Sequence, residues 1–528
     1  MSKRPNFLFI LSDDQGYWSL GSYGNGEVKT PVLDRMAEEG TRFDSFYCAS
    51  PVCSPARASI LTGQMPSQHG VLDWLGGGAV YKKDYEALML QRQLILDNLA
   101  EDVTPDEIDP DASMLPFSLT RNFRRYMKNE NVPIAYLHAE GYTDYLARAG
   151  YRCGLSGKWH LGNGIAPQAG FSFWSVIPRG GTPYTMPDWY CDGSVHVGTE
   201  YVTDLITDEA IRFLKEQDEK TPFYLGVHYT APHDPWRKAD HPAAIWNLYA
   251  SCPFDTIPNE PLHKDQVMKR PRPDSPERLR EMAQAYYSSI TAMDGNIGRL
   301  IDQLRTQGLL KNTVVIFTSD NGMNFGHHGI WGKGNGTYPM NLYETSVKIP
   351  CIFWDARKEG RVVQTPLSHY DLFPTLLDLA GITPEDDGTR PGQSFAALLH
   401  GAPEQEREVI VCDEYGPVRM IRRGKWKLIW NYLAESGQLF DLSADPDERH
   451  DLNGALEQQA LAQELRQAME AWFDRYSAAE YDARQYPVNG EGQMRPAPQW
   501  YDGKTVFVTT GGEPILHAGT SEEKGEMP

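Results

Sequence analysis

Largely apolar runs of strand length alternate along the chain with longer amphipathic segments. Residues 6–11, 222–228 and 313–318 are such runs, and none of them shows a regular alternation of apolar and polar side chains. A run of this kind is typical of a strand that is buried on both faces, as in a parallel sheet. The segments 203–216 and 278–305 have apolar residues at helical spacing and predict helices. Alternating strands and helices predict an α/β fold, with a mainly parallel central sheet flanked by helices.

The pattern changes in the last quarter of the chain, where short strand-like segments follow one another and a long amphipathic segment, residues 456–476, comes after them. This order predicts a smaller α+β domain with an antiparallel sheet. Because 528 residues exceed one ordinary core, we expect a large domain at 1–400 and a C-terminal domain with an extended tail at 401–528. Residues 505–508 in the tail are a further strand-like segment. The predicted strands of the small sheet are residues 409–413, 418–421, 425–431 and 438–442.

Two long stretches without regular periodicity interrupt the larger domain. Residues 76–135 contain a triple glycine, an acidic segment and a basic segment, and residues 235–274 form the second stretch. Long irregular segments inside compact domains are often lids, so we expect residues 76–135 to cover the site. The alternative for this stretch is a mobile surface loop.

The composition excludes several function classes. With a net charge of −21 and a pI of about 5.1, the chain lacks the general basic surface that nucleic acids require, and we expect no nucleic-acid partner. No apolar run is long enough to span a bilayer, so we expect no membrane partner either. The chain has no apolar leader, and its seven scattered cysteines form no CxxC pair, which together predict a cytoplasmic protein. A homo-oligomer is compatible with these features.

The segment 53–63 has the features of a short helix with a reactive residue at its start. Ser54 can cap the helix, Pro55 suits its first turn and Gly63 can end it. Cys53 then lies where unpaired N–H groups favour negative charge, and Arg57 lies one turn further on. A cysteine in this position is expected to be reactive, with an oxyanion bound beside it. The alternative is a buried free cysteine before an ordinary helix.

Acidic residues follow two of the predicted parallel strands. Asp13 and Asp14 come after the first strand, and Asp320 and Asn321 come after the strand at 313–318. Ligands gather at the carboxyl ends of strands in open α/β sheets, so neighbouring strands would bring these side chains together. Carboxylate and amide oxygens suit Ca²⁺ or Mg²⁺ better than Zn²⁺. The alternative is two ordinary turns, because Asp and Asn also favour turns.

Basic and titratable residues follow the other strand-like segments. Lys158 and His160 come after one of them, His233 after a second, and Lys333 lies beyond the Asp320 turn. Taken singly, each would more often be a surface lysine or a packed histidine. Together they would supply fixed positive charge for an oxyanion and groups for proton transfer.

These motifs resemble those of type I sulfatases, which belong to the alkaline phosphatase-like superfamily. The resemblance extends over about residues 6–453 and is carried by Cys-x-Pro-x-Arg from Cys53, by Gly-Lys-Trp-His ending at His160, and by Pro-His-x-Pro around His233. It implies that a formylglycine-generating enzyme oxidises Cys53 to formylglycine, an aldehyde that hydrates to a geminal diol. It also implies one divalent cation, Ca²⁺ with Mg²⁺ as the alternative. The implied metal ligands are Asp13, Asp14, Cys53, Asp320 and Asn321.

The resemblance further implies the catalytic roles. Arg57, Lys158 and Lys333 would stabilise the diol and the oxygens of the sulfate group. His233 and Lys333 are the candidates to protonate the leaving alcohol. His160 would help to remove the second diol proton and so restore the aldehyde.

We therefore expect a sulfuric ester hydrolase that releases inorganic sulfate from a small sulfated substrate. A sulfated carbohydrate is the first hypothesis, because tryptophans near the site segments can pack on sugar rings. One alternative is a phosphonate monoester or phosphodiester hydrolase of the same superfamily. The other is an inactive glycan-binding protein in which Cys53 is never oxidised. The tryptophans in question are Trp74, Trp174, Trp189 and Trp236.

Overall fold

The computed structural model describes residues 4–75, 135–137, 139–268, 271–385, 388–413, 416–482 and 492–493. Residues 76–134 of the predicted cover, 76–135, and the predicted strand at 505–508 lie outside these ranges. None of the helices within them is both long and apolar enough to cross a membrane.

Strands are distributed over the whole of the described chain. The apolar runs at 6–11, 222–228 and 313–318 are three of them, and the last four are the predicted C-terminal strands. In chain order they are β1 (Asn6–Ser12), β2 (Thr41–Phe43), β3 (Phe46–Tyr47), β4 (Arg152–Lys158), β5 (Phe173–Ile177), β6 (Asp188–Cys191), β7 (Ser194–Val197), β8 (Phe223–His228), β9 (Thr313–Ser319), β10 (Asn324–Phe325), β11 (Trp331–Gly332), β12 (Lys348–Ile349), β13 (Cys351–Asp355), β14 (Arg361–Val363), β15 (Leu367–Ser368), β16 (Glu408–Cys412), β17 (Val418–Arg423), β18 (Trp426–Asn431) and β19 (Ser436–Asp441).

Ten of these strands form the central sheet, in the order β14-β2-β13-β9-β1-β8-β4-β5-β6-β7. Its middle, from β9 to β5, is parallel throughout, and the antiparallel pairs lie towards the edges. Because β1 pairs with both β8 and β9, the ends of these three strands lie side by side. The two strands that lead to acidic residues, β1 and β9, are therefore neighbours, which is the condition for their side chains to come together.

Helices cover both faces of this sheet, as the α/β pattern predicts. Alternate residues of β1 pack into two different hydrophobic clusters: Phe7 and Phe9 join one, and Leu8 and Ile10 join the other. This explains why the strand sequence shows no alternation. The α-helices of the described residues are α1 (Pro31–Glu39), α2 (Cys53–Thr62), α3 (Pro66–His69), α4 (Tyr142–Arg148), α5 (Val202–Lys215), α6 (Ala243–Trp246), α7 (Pro276–Thr306), α8 (Glu344–Val347), α9 (Leu372–Leu379), α10 (Ala396–Leu399) and α11 (Gln459–Tyr476).

The C-terminal part is the predicted α+β unit. Strands β16 to β19 form an antiparallel sheet in sequence order. Its residues Ile421 and Leu439 pack with Leu465 and Phe473 of α11, while Met420 on the other face joins the core of the central sheet. The small sheet is therefore packed directly against the larger part of the molecule.

A buried charge network joins this small sheet to the loop that follows β9. Lys427 of β18 is fully buried, and its Nζ lies 3.0 Å from an oxygen of Glu344 and 2.7 Å from an oxygen of Glu448. Glu344 begins α8, and in the same helix the carbonyl of Ser346 accepts a hydrogen bond from Gly322 N at 3.0 Å. Gly322 directly follows the predicted ligands Asp320 and Asn321. The C-terminal unit is therefore connected to that loop through α8.

Candidate active site

Four adjacent parallel strands deliver the predicted site residues to one edge of the sheet. Strand β1 leads to Asp13 and Asp14, and β9 leads to Asp320 and Asn321. Strand β4 ends at Lys158, and the turn after β8 carries His233. This is the carboxyl end of the sheet, where open α/β folds bind their ligands.

Helix α2 brings Cys53 to the same edge, but the predicted cap is wrong. Cys53 is the first helical residue and Val52 occupies the cap position without a side-chain hydrogen bond. Ser54 lies inside the first turn, and its Oγ accepts a hydrogen bond from the backbone N of Leu75 at 3.1 Å. The predicted end of the helix is confirmed, since Gly63 adopts a left-handed conformation with φ of 69°. Cys53 is thus at the N-terminal end of the helix, where the peptide dipoles favour an anion.

Arg57 connects the Cys53 helix to the acidic loops. It is buried, and its Nε and Nη2 lie 2.9 Å and 2.8 Å from Oδ2 of Asp320. Its Nη1 donates to the carbonyl oxygen of Lys158 at 3.1 Å. Despite the cost of burying a cation, the carboxylates of Asp320 and Asp13 raise the pKa of Arg57, so the guanidinium stays charged.

Two lysines lie against the first acidic pair. Lys158 Nζ is 2.5 Å from Oδ2 of Asp13, and Lys333 Nζ is 2.5 Å from Oδ1 of Asp14. Both lysines are less than 10% exposed. Burial opposes the charged form of Lys333, but the Asp14 carboxylate outweighs it and raises the pKa of Lys333. The site therefore holds fixed positive charge inside an acidic protein, as the sequence predicts.

The acidic residues fit a hard divalent cation. Oδ1 of Asp13 and Oδ1 of Asn321 are buried and have no hydrogen-bond partner among the described residues. Asn321 Nδ2 donates to Oδ1 of Asp14 at 2.8 Å, which fixes its amide so that the oxygen remains free. Buried oxygens of this kind are costly unless a donor or a cation satisfies them. The donor set is made only of oxygen atoms, as Ca²⁺ and Mg²⁺ prefer.

Burial and neighbouring charges shift the pKa values of Asp13 and Asp320 in opposite directions. Burial would raise the pKa of Asp13, but Lys158 and His233 hold it well below its ordinary value. For Asp320, burial and the charge of Asp13 raise the pKa despite Arg57. Because the charge of Asp13 is one cause of the raised pKa of Asp320, the two buried carboxylates repel each other. A bound cation would relieve that repulsion.

His233 lies between the carboxylates of Asp14 and Asp234. Its Nε2 is 3.5 Å from Oδ2 of Asp14, and its Nδ1 is 2.8 Å from Oδ1 of Asp234. Burial favours the neutral ring, but the carboxylates of Asp14 and Asp234 raise the pKa of His233 to about 10. Asp13, Asp14 and His233 each offer one possible metal-ligand atom within 4.8 Å of the others. The raised pKa favours His233 as a proton donor, and Asp320 and Asn321 remain predicted ligands.

His160 is neutral, and a hydrogen bond at Nε2 holds its ring. Its Nε2 is 3.1 Å from the carbonyl oxygen of Leu75, which makes Nε2 the protonated nitrogen and leaves Nδ1 as an acceptor. Nδ1 is buried without a partner among the described residues. Burial, with Lys158 and Arg57 nearby, lowers the pKa of His160 well below its ordinary value. The ring packs closely on Gly180, where a Cβ would lie 2.2 Å from Nε2.

Two histidines support the site in ways that the sequence did not indicate. His228 lies at the end of β8, and its Nδ1 is 3.2 Å from the Lys158 carbonyl that also binds Arg57. His369 is fully buried and links Ser319 O, at 3.0 Å from Nε2, to the backbone N of Ala49, at 3.3 Å from Nδ1. His369 thus joins the strand before Asp320 to the segment before Cys53. Neither histidine lies in a motif, so no sequence signal marks it.

The tryptophan hypothesis is wrong for three of the four residues. Trp174, Trp189 and Trp236 are buried in the hydrophobic clusters, where they cannot stack on a sugar. Trp74 is partly exposed and is the only one of the four outside the core.

Buried cations and acidic loops meet at the carboxyl end of the sheet. This arrangement is typical of hydrolases that act on anionic esters with the help of a metal ion. The chain belongs to the sulfatase family: the Sulfatase family model matches residues 5–95 and 112–382. A second model, N-sulphoglucosamine sulphohydrolase, C-terminal, matches residues 326–474. The chain is therefore a sulfuric ester hydrolase, a class whose members generally use a metal ion and a formylglycine.

Curated relatives match most of the chain. An N-acetylglucosamine-6-O-sulfatase of Bacteroides thetaiotaomicron is 25% identical over 565 residues, covering 92% of this chain and 89% of the relative. A choline-sulfatase of Rhizobium meliloti is 29% identical over 490 residues, covering 84% of this chain and 81% of the relative. The sulfatase assignment thus extends over both parts of the fold.

Solved structures share the same fold. One, in complex with its substrate D-glucosamine-2-N,6-O-disulfate, matches with a TM-score of 0.67 at 23% identity and covers 92% of this chain and 100% of that chain. The phosphonate monoester hydrolase of Agrobacterium radiobacter matches with a TM-score of 0.58 at 20% identity, covering 90% and 96%. At these identities the likeness shows the fold alone, so it does not separate the two chemistries.

Proposed function

We propose that this sulfatase removes a sulfate ester from a small saccharide, with Cys53 converted to formylglycine as the source of the nucleophile. The observation that carries the proposal is the ring of three buried cations, Arg57, Lys158 and Lys333, around the acidic loops next to Cys53. Such an arrangement is suited to a compact, multiply oxygenated anion. The names of the relatives, which include a carbohydrate sulfatase, support the choice of a saccharide.

A Ca²⁺ ion is the proposed metal, with Mg²⁺ as the alternative. Asp13, Asp14, Asp320 and Asn321 would hold it, together with the modified Cys53, because hydrogen bonds from Asp14 N to Asp320 Oδ1 and from Asn321 Nδ2 to Asp14 Oδ1 join the two acidic loops after β1 and β9. A hard cation bound there would supply Lewis acidity to a bound hydroxyl. Oδ1 of Asp13 and Oδ1 of Asn321, which have no hydrogen-bond partner among the described residues, would be two of the ligand atoms.

The side chains around Cys53 would bind the sulfate group and transfer protons. Arg57, Lys158 and Lys333 would bind the non-bridging oxygens of the sulfate group, and their rigid ion pairs keep the charges in place. His233 is protonated and would donate its proton to the leaving alcohol, with Lys333 as the second candidate donor. His160 is neutral, and its Nδ1, which has no hydrogen-bond partner within the described part of the chain, would accept the proton whose removal restores the aldehyde.

A substrate comparison tests the proposed specificity. The purified, modified enzyme would be assayed with N-acetylglucosamine 6-sulfate, choline sulfate, a nitrophenyl sulfate and a phenylphosphonate ester. We expect kcat/KM for the saccharide to exceed that for choline sulfate and for the phosphonate by roughly 10-fold or more. A preference for choline sulfate would contradict the saccharide proposal, and a preference for the phosphonate would favour a phosphonate hydrolase. Saccharide binding without turnover by the modified enzyme would favour a glycan-binding protein.

Replacing His233 with alanine is expected to slow the saccharide far more than an activated aryl sulfate. A sugar hydroxyl needs a proton to leave, whereas a nitrophenol leaves without one. General acid catalysis is worth roughly 10²–10⁴-fold where it is needed, so the saccharide should lose that factor in kcat. The nitrophenyl sulfate should lose much less.

The matched control is His196→Ala, which removes a histidine from the edge strand β7. It should leave both rates near the parental values. Equal losses on the two substrates in His233→Ala would place His233 in sulfate binding and leave Lys333 as the proton donor.

A further inference from the structure

The C-terminal tail returns to the active site at Gln493. This residue is fully buried, although it lies beyond both matched family regions, which end at residues 382 and 474. Its Oε1 accepts a hydrogen bond from Leu72 N at 2.7 Å, and its Nε2 donates to the carbonyl oxygen of Gly70 at 2.9 Å. One side chain thus satisfies a backbone donor and a backbone acceptor of the same buried turn.

The backbone of the tail strengthens this attachment. Gln493 N donates to the carbonyl of Trp74 at 2.7 Å, and Gly492 N donates to Oδ2 of Asp73 at 2.8 Å. Gly492 has φ of 94°, and a Cβ there would lie 2.8 Å from the Trp74 indole. The close approach of the two segments therefore depends on glycine at this position.

Leu75, in the segment that Gln493 holds, contacts two site elements. Leu75 N donates to Ser54 Oγ at 3.1 Å, next to Cys53, and its carbonyl oxygen lies 3.1 Å from His160 Nε2. Leu75 also forms an isolated parallel bridge with Gln493. The peptide of Leu75 is therefore fixed by Ser54 on one side and by the tail on the other.

We propose that Gln493 is a positioning residue for the sulfatase reaction, which fixes the ring and the tautomer of His160 through Leu75. The inference rests on the proposed role of His160 as a base. The Leu75 carbonyl keeps the proton on Nε2, so that Nδ1 offers its lone pair to the reaction. Without Gln493, the buried N–H of Leu72 and C=O of Gly70 would lose their partners, and the segment would shift to find others.

The first test is Gln493→Ala in the full chain, assayed with a nitrophenyl sulfate. A displaced base slows the reaction more than it weakens binding, so kcat should fall roughly 10–100-fold while KM changes little. The control is Gln217→Ala, which removes a buried glutamine that bonds the Phe213 carbonyl at the opposite end of the sheet. It should lower the melting temperature without lowering kcat. Parental kcat in Gln493→Ala would overturn the inference.

A double-mutant cycle with His160→Ala tests the route. If Gln493 acts through His160, adding Gln493→Ala to His160→Ala should change kcat by less than about 2-fold, because the positioned group is already absent. Losses that multiply would overturn the route through His160. Parental kcat in His160→Ala, with a slow Gln493→Ala, would instead remove the proposed role of His160 and the inference that depends on it. Gln493→Asn, whose shorter side chain cannot reach both backbone groups, replaces Gln493→Ala in the cycle if that variant does not fold.

Discussion

Replacing Cys53 with alanine is expected to abolish sulfate release while the protein remains folded. The nucleophile is proposed to come from this side chain alone, and alanine has nothing to oxidise. None of the neighbouring cations can take its place, because the charged forms of Arg57, Lys158 and Lys333 have no lone pair with which to attack sulfur. The loss should therefore be complete within the sensitivity of a sulfate assay.

The fold should survive because Cys53 contributes little to the helix that it begins. Alanine is a good helix former, and Val52 caps the helix without a side-chain hydrogen bond. The control is Cys153→Ala, which removes another buried cysteine, in strand β4 of the central sheet. It should keep its activity. Near-parental sulfate release by Cys53→Ala would rule out Cys53 as the nucleophile.

Alanine at Asp13 or Asp320 is expected to remove bound metal and activity together. Each substitution deletes one carboxylate from the proposed oxygen-ligand set and leaves a cationic neighbour, Lys158 or Arg57, without its partner. The site then loses both a coordination position and the negative charge that attracts a cation. Elemental analysis after dialysis should show metal in the parental protein and little in either variant.

The control for this pair is Asp294→Ala. Asp294 is also buried, but its carboxylate accepts hydrogen bonds from Val32 N and Leu33 N at the start of α1. The variant should be less stable yet keep its metal and its activity. Full metal occupancy in Asp13→Ala and Asp320→Ala would exclude both residues from the metal site.

The sequence predicted the framework of the site because apolar runs and the polar residues after them are local signals. The strand before Asp13 and the strand before Asp320 could be recognised separately, and only their pairing needed the structure. The same holds for the C-terminal sheet, whose strands lie within two residues of the predicted ones. Strands such as β2 and β14 are three residues long and carry no distinctive run, so they could not be recognised.

What the sequence could not predict depends on contacts between distant segments. Ser54 suits a helix cap by its residue type, but a hydrogen bond from Leu75, 21 positions away, decides its role. Trp189 suits a sugar-stacking residue equally well until its complete burial is known. Gln493 lies more than 300 residues after His160 in a tail without a motif. Its link to that histidine exists only in three dimensions.

The central claim is that modified Cys53 makes the chain a saccharide sulfatase. The most direct test is sulfate release from N-acetylglucosamine 6-sulfate, measured on preparations in which mass spectrometry of the Cys53 peptide gives different fractions of formylglycine. Preparations would come from co-expression with increasing amounts of a formylglycine-generating enzyme. We predict a rate that rises in proportion to the modified fraction and extrapolates to zero at zero modification. A rate that does not depend on the modified fraction, or no sulfate release at full modification, would contradict the account.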